Sequence, residues 1–593
     1  MSEPLDWTGD APRSPRFDDI YFSPQDGLAE TQAVFLQGCG LPDAWTGRQR
    51  FTVGELGFGT GLNILALIDL WRRTRPAPGA VLNIFSIEAF PMCRENAARA
   101  LAAWPDLADL AAVLLASWPG GRKGFHRFEW PALGVILDLA ILEAEAALTA
   151  WSGFADAWFL DGFAPSKNPE MWRPEVMALI AARSHTGAKA ATFSVAGVVR
   201  RGLDGAGFVL TRAPGFGRKK ERLEATLGSA GAPKPAEHNA AFRVAIIGAG
   251  IAGASLARAL YRLGVAATVI DQGGPGAGAS GNPAALVTPR LDAGLNLNAE
   301  LHAQAFARAV QLFRQETPGA IIAEGALQLA AHDRDAHRFA KIAGWDGFDP
   351  GAVVGLDSSN AAQVIDEAQA PPALVLRDAL VIEPGVVLGA WLPASTVKAR
   401  VEALHRHGDA WRLLDAKGGV VVEADIVCLA AGPASSHLAD GAPLRAVRGQ
   451  VSFTDAAAFS GMAASFGGYA IPTRSGVLFG ATHDRDDWDE DAHPGDDILN
   501  LEGLQQGRPA LAARIAGAAL SSRASLRAMA HDYLPLAGVV PSSPGLFVLG
   551  GLGGRGFTLA PLLAEAVAAD VLGAPSPLPR ALWRIVDPAR RAR

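Results

Sequence analysis

Two glycine-rich loops, each set between an apolar run of strand length and an apolar run at helical spacing, constrain this chain more than any other feature. The first is ELGFGTG at 55–61; it follows Phe51 and Val53 and leads into Leu62, Ile64, Leu65, Leu67, Ile68 and Trp71. The second is GAGIAG at 248–253, which follows Val244, Ile246 and Ile247 and leads into Leu256, Leu260 and Leu263. A strand that turns through glycines into a helix opens a mostly parallel sheet, because the helical crossover must cover the sheet's apolar face. Two such openings need two sheets, and 593 residues exceed what one core accommodates. The run 228–241 (GSAGAPKPAEHNAA) is small, proline-containing and without apolar periodicity, so it reads as a boundary. The expected division is a domain at 1–228, a linker at 229–241 and a domain at 242–593.

Further strands are expected at 81–87, 135–139, 157–160 and 190–193, alternating with Ala-rich helical stretches. In the second half, 265–270 completes a strand–helix–strand unit. Strands at 425–429, 476–480 and 546–549 and helices at 299–313 and 559–571 then suggest a nucleotide domain interrupted by an α+β substrate subdomain.

Composition removes several classes. An apolar content of 49% with 14 Trp and 26 Phe supplies enough buried surface to exclude disorder. No uncharged apolar run reaches the roughly 18 residues needed to span a bilayer. The first 16 residues mix acids, prolines and arginines and do not resemble a secretory signal. Cys39, Cys93 and Cys428 are too few and too scattered for a disulfide framework or a zinc set, so a reducing, cytoplasmic compartment and no metal are expected. The net charge of −7 gives no general reason to expect a polyanionic partner. Even so, Arg200, Arg201, Arg212, Arg218, Lys219, Lys220 and Arg222 crowd one segment, and Arg590, Arg591 and Arg593 end the chain. By itself such a run reads as a solvated face.

The motifs carry chemistry. Gly248, Gly250 and Gly253 have the dinucleotide spacing, and Asp271 closes the following strand where it can accept hydrogen bonds from ribose hydroxyls. In the first half Glu88 closes the strand after Gly57, Gly59 and Gly61 and is placed for the same task. The string WFLDGFAPSKNPEMW at 158–172 brings Asp161 to the carboxyl edge of a sheet. A carboxylate there can orient an ammonium and receive its proton, or bind a cofactor's amino group, or cap a turn.

The second half resembles the D-amino-acid oxidase and glycine oxidase group of flavoproteins through GAGASGN at 276–282 and LFVLGGLGGRGFTLAP at 546–561. That resemblance implies FAD, with Ser280 in the loop over the phosphates and Gly553, Gly554 and Gly556 beside the flavin ring. It also makes Arg527 the first candidate for binding a substrate carboxylate and Arg555 the second, with Tyr469 and Arg474 on a strand pair roofing the site; no role falls to His531. The first loop resembles motif I of class I S-adenosylmethionine methyltransferases, implying cofactor contacts from Glu55, Gly57, Gly59, Gly61 and Glu88. Where that group has Gly-Asp at the adenine end this chain has Leu142-Glu143, which leaves Glu143 as the partner, and Ala89 stands where a Lys often follows the acid.

Both motif sets in this order, with ATFSVAGVVRRGL at 191–203 and GFGRKK at 215–220, resemble a bifunctional bacterial family that modifies the wobble uridine of tRNA. The implied fold is α/β: a class I methyltransferase-like doubly wound domain joined to an FAD-binding Rossmann-type domain with a D-amino-acid oxidase-type subdomain. The implied activity has two steps. The FAD half removes the carboxymethyl group from 5-carboxymethylaminomethyl-(2-thio)uridine, and the S-adenosylmethionine half methylates the resulting amine. The implied partner is tRNA, with Arg218, Lys219 and Lys220 on its phosphates. A second reading is a fusion of a small-molecule amino-acid oxidase with a small-molecule N-methyltransferase.

Overall fold

The computed structural model describes residues 5–9, 11–23, 26–217, 219–234, 242–332 and 334–591. The chain forms two compact units. One comprises Met1–Asn239 with Arg262–Gly264 and Leu572–Arg580; the other comprises Ala240–Tyr261, Val265–Val571 and Ala581–Arg593.

In the first unit, four neighbouring parallel strands run in the order Ala155–Leu160, Arg50–Leu56, Val81–Ile87, Val135–Ile141, with Ser184–Thr192 parallel to the first of these. Antiparallel strands extend both sides. Gly124–Trp130 pairs with Val135–Ile141, and the hairpin Phe208–Pro214 with Glu221–Leu227 pairs with Ser184–Thr192. These antiparallel additions were not foreseen, because their charged residues break the apolar runs that mark buried parallel strands. Register explains one of those charges. Arg127 lies opposite Asp138, and the two buried side chains pair at 2.6 and 2.7 Å, so Asp138 sits within an otherwise apolar strand without an uncompensated charge.

Both sheet faces are covered. Ile64, Leu67 and Trp71 of the helix Leu62–Thr74 pack with Val53, Ile84 and Leu137 on one face. On the other, Trp151 stacks on Phe85 at 4.2 Å and packs with Leu148, Trp158, Met177 and Ile180. Full burial of each large side chain contributes roughly 1.5–3 kcal/mol, which fixes strand order and register. Because Ala155–Leu160, Arg50–Leu56 and Val81–Ile87 are neighbours, their carboxyl ends carry Asp161, Glu55 and Glu88 to one edge.

In the second unit a six-stranded sheet runs Val397–Lys398, Ala267–Asp271, Val244–Ile247, Ile426–Leu429, Leu546–Gly550, Leu536–Val539, and only the last pairing is antiparallel. The long helices are Leu297–Glu316 and Gly556–Leu572. A ten-stranded mixed sheet includes the hairpin Tyr469–Pro472 with Val477–Gly480, and Arg445–Thr454 paired with Ser521–Met529. A three-stranded sheet completes the unit. Among the described residues no helix is long and apolar enough to cross a membrane, and no cluster of three His, Cys, Asp or Glu is arranged to hold a metal ion.

Candidate functional site

At the carboxyl edge of the first unit's sheet, two loops approach each other closely. Gly57 has φ +76°, and a Cβ there would lie 3.1 Å from the Gly162 Cα, so the backbone of the first loop reaches the Asp161 loop only without a side chain. Gly59 N–H donates to Glu88 Oε2 at 3.0 Å while Phe90 N–H donates to Oε1 at 2.9 Å, tying the loop to the next strand. Glu55 is fully buried and accepts from the Ser86 hydroxyl. Burial pushes its carboxyl up to about 8, and the nearby charges of Asp161 and Glu88 act in the same direction. Glu143 is exposed and precedes the helix Ala144–Ala150 at the end of the strand beside Val81–Ile87.

Asp161 accepts from Gly162 N–H at 2.8 Å through Oδ1 and from Asn63 Nδ2 at 2.8 Å through Oδ2. The Thr31 hydroxyl lies 2.7 Å from Asn63 Oδ1, which fixes the amide with its Nδ2 toward Asp161. Burial pushes the Asp161 carboxyl up to about 6, and these hydrogen bonds oppose the rise. The carboxylate is thus poorly solvated and held by two donors.

Sequence reading missed the polar supports Asn63 and Thr31 and an aromatic group over the same edge. Phe163 stacks on Phe17 at 4.8 Å and meets Tyr21 edge-on at 5.1 Å, while Asp19 accepts from Ala164 N–H at 2.9 Å. The only signal was the density of Phe17, Tyr21 and Phe22 in a polar run.

The basic segment differs from a uniform phosphate-binding face. Arg212 pairs with Glu221 at 2.9 Å and Arg222 with Glu224 at 2.6 Å across and along the hairpin. Lys219 is exposed but not free: its Nζ lies 3.0 Å from Glu30 Oε1 and 3.7 Å from the centre of the Phe193 ring. Arg201 and Lys220 are exposed and Arg200 is half-buried. The expected contact Arg218 and the terminal Arg593 lie outside the described residues, and Arg590 pairs with Asp532 at 3.0 Å.

In the second unit a cleft of about 1470 Å³ runs from Gly248 and Gly250 past Asp271 and Ser280 to Tyr469, His483, Arg527, Gly553, Gly554, Arg555 and Gly556. A Cβ at Gly253 would fall 1.8 Å from the Gly248 carbonyl oxygen, so the helix starts against the loop only with glycine there. Ile251 N–H donates to Ser280 Oγ at 2.9 Å, and Asp271 accepts from Ala249, Gly273 and Gly274 N–H at 2.8 Å each. Arg523, which sequence reading missed, clamps the loop 276–282: it donates to the carbonyls of Ala277 at 2.8 Å and Gly278 at 2.6 Å, and to Asn282 Oδ1 at 3.1 Å.

Arg527 is held by the Thr482 carbonyl at 3.2 Å, with His483 Nδ1 at 3.4 Å. Burial pulls its guanidinium below the usual range while Tyr469 and Asp484 oppose that fall. Arg555 donates to the carbonyl and hydroxyl of Thr288 at 2.9 Å each, and burial beside Arg290 lowers it to about 10. Arg474 departs from expectation: it lies at the hairpin turn, pairs with Glu383 at 3.0 Å and is not among the cleft-lining residues. The short turn 473–476 carries its side chain away from the strand face that bears Tyr469. His531 accepts from Arg445 Nε at 2.9 Å.

Each loop fits the group its motif implies. The glycines leave the backbone of each loop bare of side chains at a helix start, where a ligand can approach it closely, and the acid closing the following strand keeps acceptor capacity beyond its loop contacts.

Comparison with known proteins agrees with this division. Residues 105–228 match the S-adenosyl-L-methionine-dependent methyltransferase family model and residues 243–569 the FAD dependent oxidoreductase model. FAD and S-adenosylmethionine are thus the cofactors of the two halves. The chain is 54% identical to the tRNA 5-methylaminomethyl-2-thiouridine biosynthesis bifunctional protein MnmC of Caulobacter sp. (strain K31), over 99% of this chain and 98% of that protein. It is 52% identical to the protein of the same name from Caulobacter vibrioides, over 99% and 97%, and 36% identical to that of Thiobacillus denitrificans, over 99% and 98%. Among solved structures, L-proline dehydrogenase from P. horikoshii aligns with TM-score 0.51 and 18% identity over 60% of this chain and 99% of that chain, a likeness of fold alone. With identities of this size spanning nearly the full length of both partners, the chain belongs to the MnmC family of bifunctional tRNA 5-methylaminomethyl-2-thiouridine biosynthesis proteins.

Proposed function

We propose that residues 242–593 oxidatively remove the carboxymethyl group from 5-carboxymethylaminomethyl-(2-thio)uridine at the tRNA wobble position, and that residues 1–228 methylate the freed amine to give 5-methylaminomethyl-(2-thio)uridine. The observation that carries this reading is the pairing, in one chain, of a cleft ending at a half-buried arginine with a sheet edge ending at a half-buried carboxylate. The first suits an amine substituent that bears a carboxylate; the second suits the amine left when that substituent departs. Oxidative removal of a carboxymethyl group from nitrogen yields a primary amine, so the product of one half is the substrate of the other.

When bound, FAD supplies an acceptor for the two electrons and S-adenosylmethionine supplies the methyl group. Gly248, Gly250, Gly253, Asp271 and Ser280 would hold the former at its phosphates and ribose, with Gly553, Gly554 and Gly556 at the other end of the cleft. Glu55, Gly57, Gly59, Gly61, Glu88 and Glu143 would hold the latter. Arg527 anchors the substrate carboxylate through charge-assisted hydrogen bonds in a site where water competes poorly, and Tyr469 shares that wall. Arg555, held on Thr288 and lining the same cleft, adds positive potential. Asp161 binds the incoming ammonium and takes its proton, which frees the nitrogen lone pair. Arg201 and Lys220 extend the contact to tRNA phosphates.

The test is nucleoside mass analysis of carboxymethylaminomethyl-bearing tRNA after incubation with the purified protein. The aminomethyl nucleoside is expected without S-adenosylmethionine and the methylaminomethyl nucleoside with it. Unchanged tRNA together with turnover of free glycine or sarcosine would establish the small-molecule fusion instead.

A further inference from the structure

The short helix Gly27–Thr31 presents two consecutive side chains to the Asp161 edge. Thr31 orients Asn63 and through it Asp161, whereas Glu30 reaches Lys219. The Glu30 side chain is only 15% exposed, and the ammonium it binds also rests over the ring of Phe193, which directly follows the strand Ser184–Thr192. A shielded carboxylate at 3.0 Å and an aromatic face at 3.7 Å make a compact site for a primary ammonium. It is linked to the carboxylate proposed as base through the next residue, since Thr31 holds Asn63, which donates to Asp161.

Lys219 is a poor permanent occupant. It stands 46% exposed on the turn between the strands Phe208–Pro214 and Glu221–Leu227, and holding it there costs the rotamer freedom of a four-carbon stem. An aminomethyl group carried by a docked nucleoside has the same charge and donor count but is positioned by the rest of the RNA, so its effective concentration at the subsite is high.

We infer that Glu30 and Phe193 form an ammonium-binding subsite for the aminomethyl group of the methyl acceptor, and that Lys219 is a resident cation which the substrate displaces. This rests on the wobble-uridine reading and adds Glu30 and Phe193 to its substrate contacts. The displaced ammonium leaves for solvent, and the substrate nitrogen arrives beside Asp161.

The test uses the full-length protein and tRNA bearing the aminomethyl group, with initial methylation rates measured against tRNA and salt concentration. Glu30→Gln is expected to raise KM about fivefold or more, and Phe193→Leu, which keeps an apolar side chain against the core while removing the ring face, to raise it similarly at an unchanged melting temperature. Lys219→Ala is expected to lower KM roughly two- to fivefold with the same salt dependence. A raised KM with a flattened salt slope in Lys219→Ala would make Lys219 a phosphate contact and overturn the subsite, as would a KM unmoved by Glu30→Gln and Phe193→Leu. Wild-type protein that transfers no methyl group to this tRNA would refute the wobble-uridine reading itself.

Discussion

The base role proposed for Asp161 suits its surroundings, because burial, opposed by two donors, leaves its carboxyl at about 6 and not at its usual value near 3.8. Below that point the carboxylate protonates and loses its place for the substrate's proton, so the methylation rate should fall about tenfold per pH unit under pH 6. Asp161→Asn should leave the aminomethyl nucleoside accumulating at every pH; a methylation profile flat between pH 5 and 8 would remove Asp161 from this role. Glu55 carries the complementary prediction for stability. Its folded-state carboxyl is raised to about 8 from 4.5, so the stability conferred by the protonated form is complete below 4.5 and is lost as pH rises toward 8. Glu55→Gln cannot ionise, so its melting temperature should gain on wild type as pH rises through that window, by about 1.4 kcal/mol of differential stability per pH unit. A difference independent of pH would show that the buried group never ionises unfavourably. Asp161 and Glu55 were legible because they lie inside strings whose local pattern carries meaning. Asn63 and Thr31 were not, because Asn63 meets Asp161 across 98 positions and Thr31 meets Asn63 across 32.

At the scale of elements, each glycine loop works because something distant holds it. In the second unit Arg523, on the strand Ser521–Met529, donates to carbonyls of the loop 276–282. Arg523→Ala removes charge-assisted bonds of roughly 1.5–3 kcal/mol each, and some of those carbonyls regain water. The expected outcome is FAD affinity weakened by about tenfold or more in a flavin fluorescence titration, and wild-type affinity would leave the loop self-supporting. The same strand lies in register with Arg445–Thr454, pairing Val447 with Arg527, and a Cβ at Gly449 would fall 1.9 Å from Arg527 Nη2. The position of Arg527 in the cleft thus depends on a glycine on the neighbouring strand. Sequence spacing suggested Arg527 but gave no sign of that dependence, since cross-strand register is decided by packing over the whole sheet. The Arg474 expectation failed on a similar point: it lies in the turn beyond the strand that carries Tyr469, and there it pairs with Glu383 outside the cleft.

For the whole molecule, the two compact units imply chemical steps that can be lost separately. Gly250→Val would press a branched side chain onto Ser280 Oγ, which lies 3.0 Å from the position of even a Cβ, and should abolish the visible absorbance of bound flavin. The same variant should still methylate tRNA that already carries the aminomethyl group; simultaneous loss of both activities would show that the units are not independent. The sequence by itself determined the number of nucleotide-type sheets, the chemistry of their loops and the acids that close the following strands. These features are local, because a strand, a glycine turn and a helix start lie within a few consecutive residues and their spacing alone sets where backbone N–H groups point. Only the tertiary structure decided which polar groups support Asp161, which arginine clamps the loop 276–282, and that Lys219 rests against Glu30 and Phe193. Those relations join residues tens to hundreds of positions apart, and they are fixed by the packing of apolar faces, which the order of residues along the chain does not display.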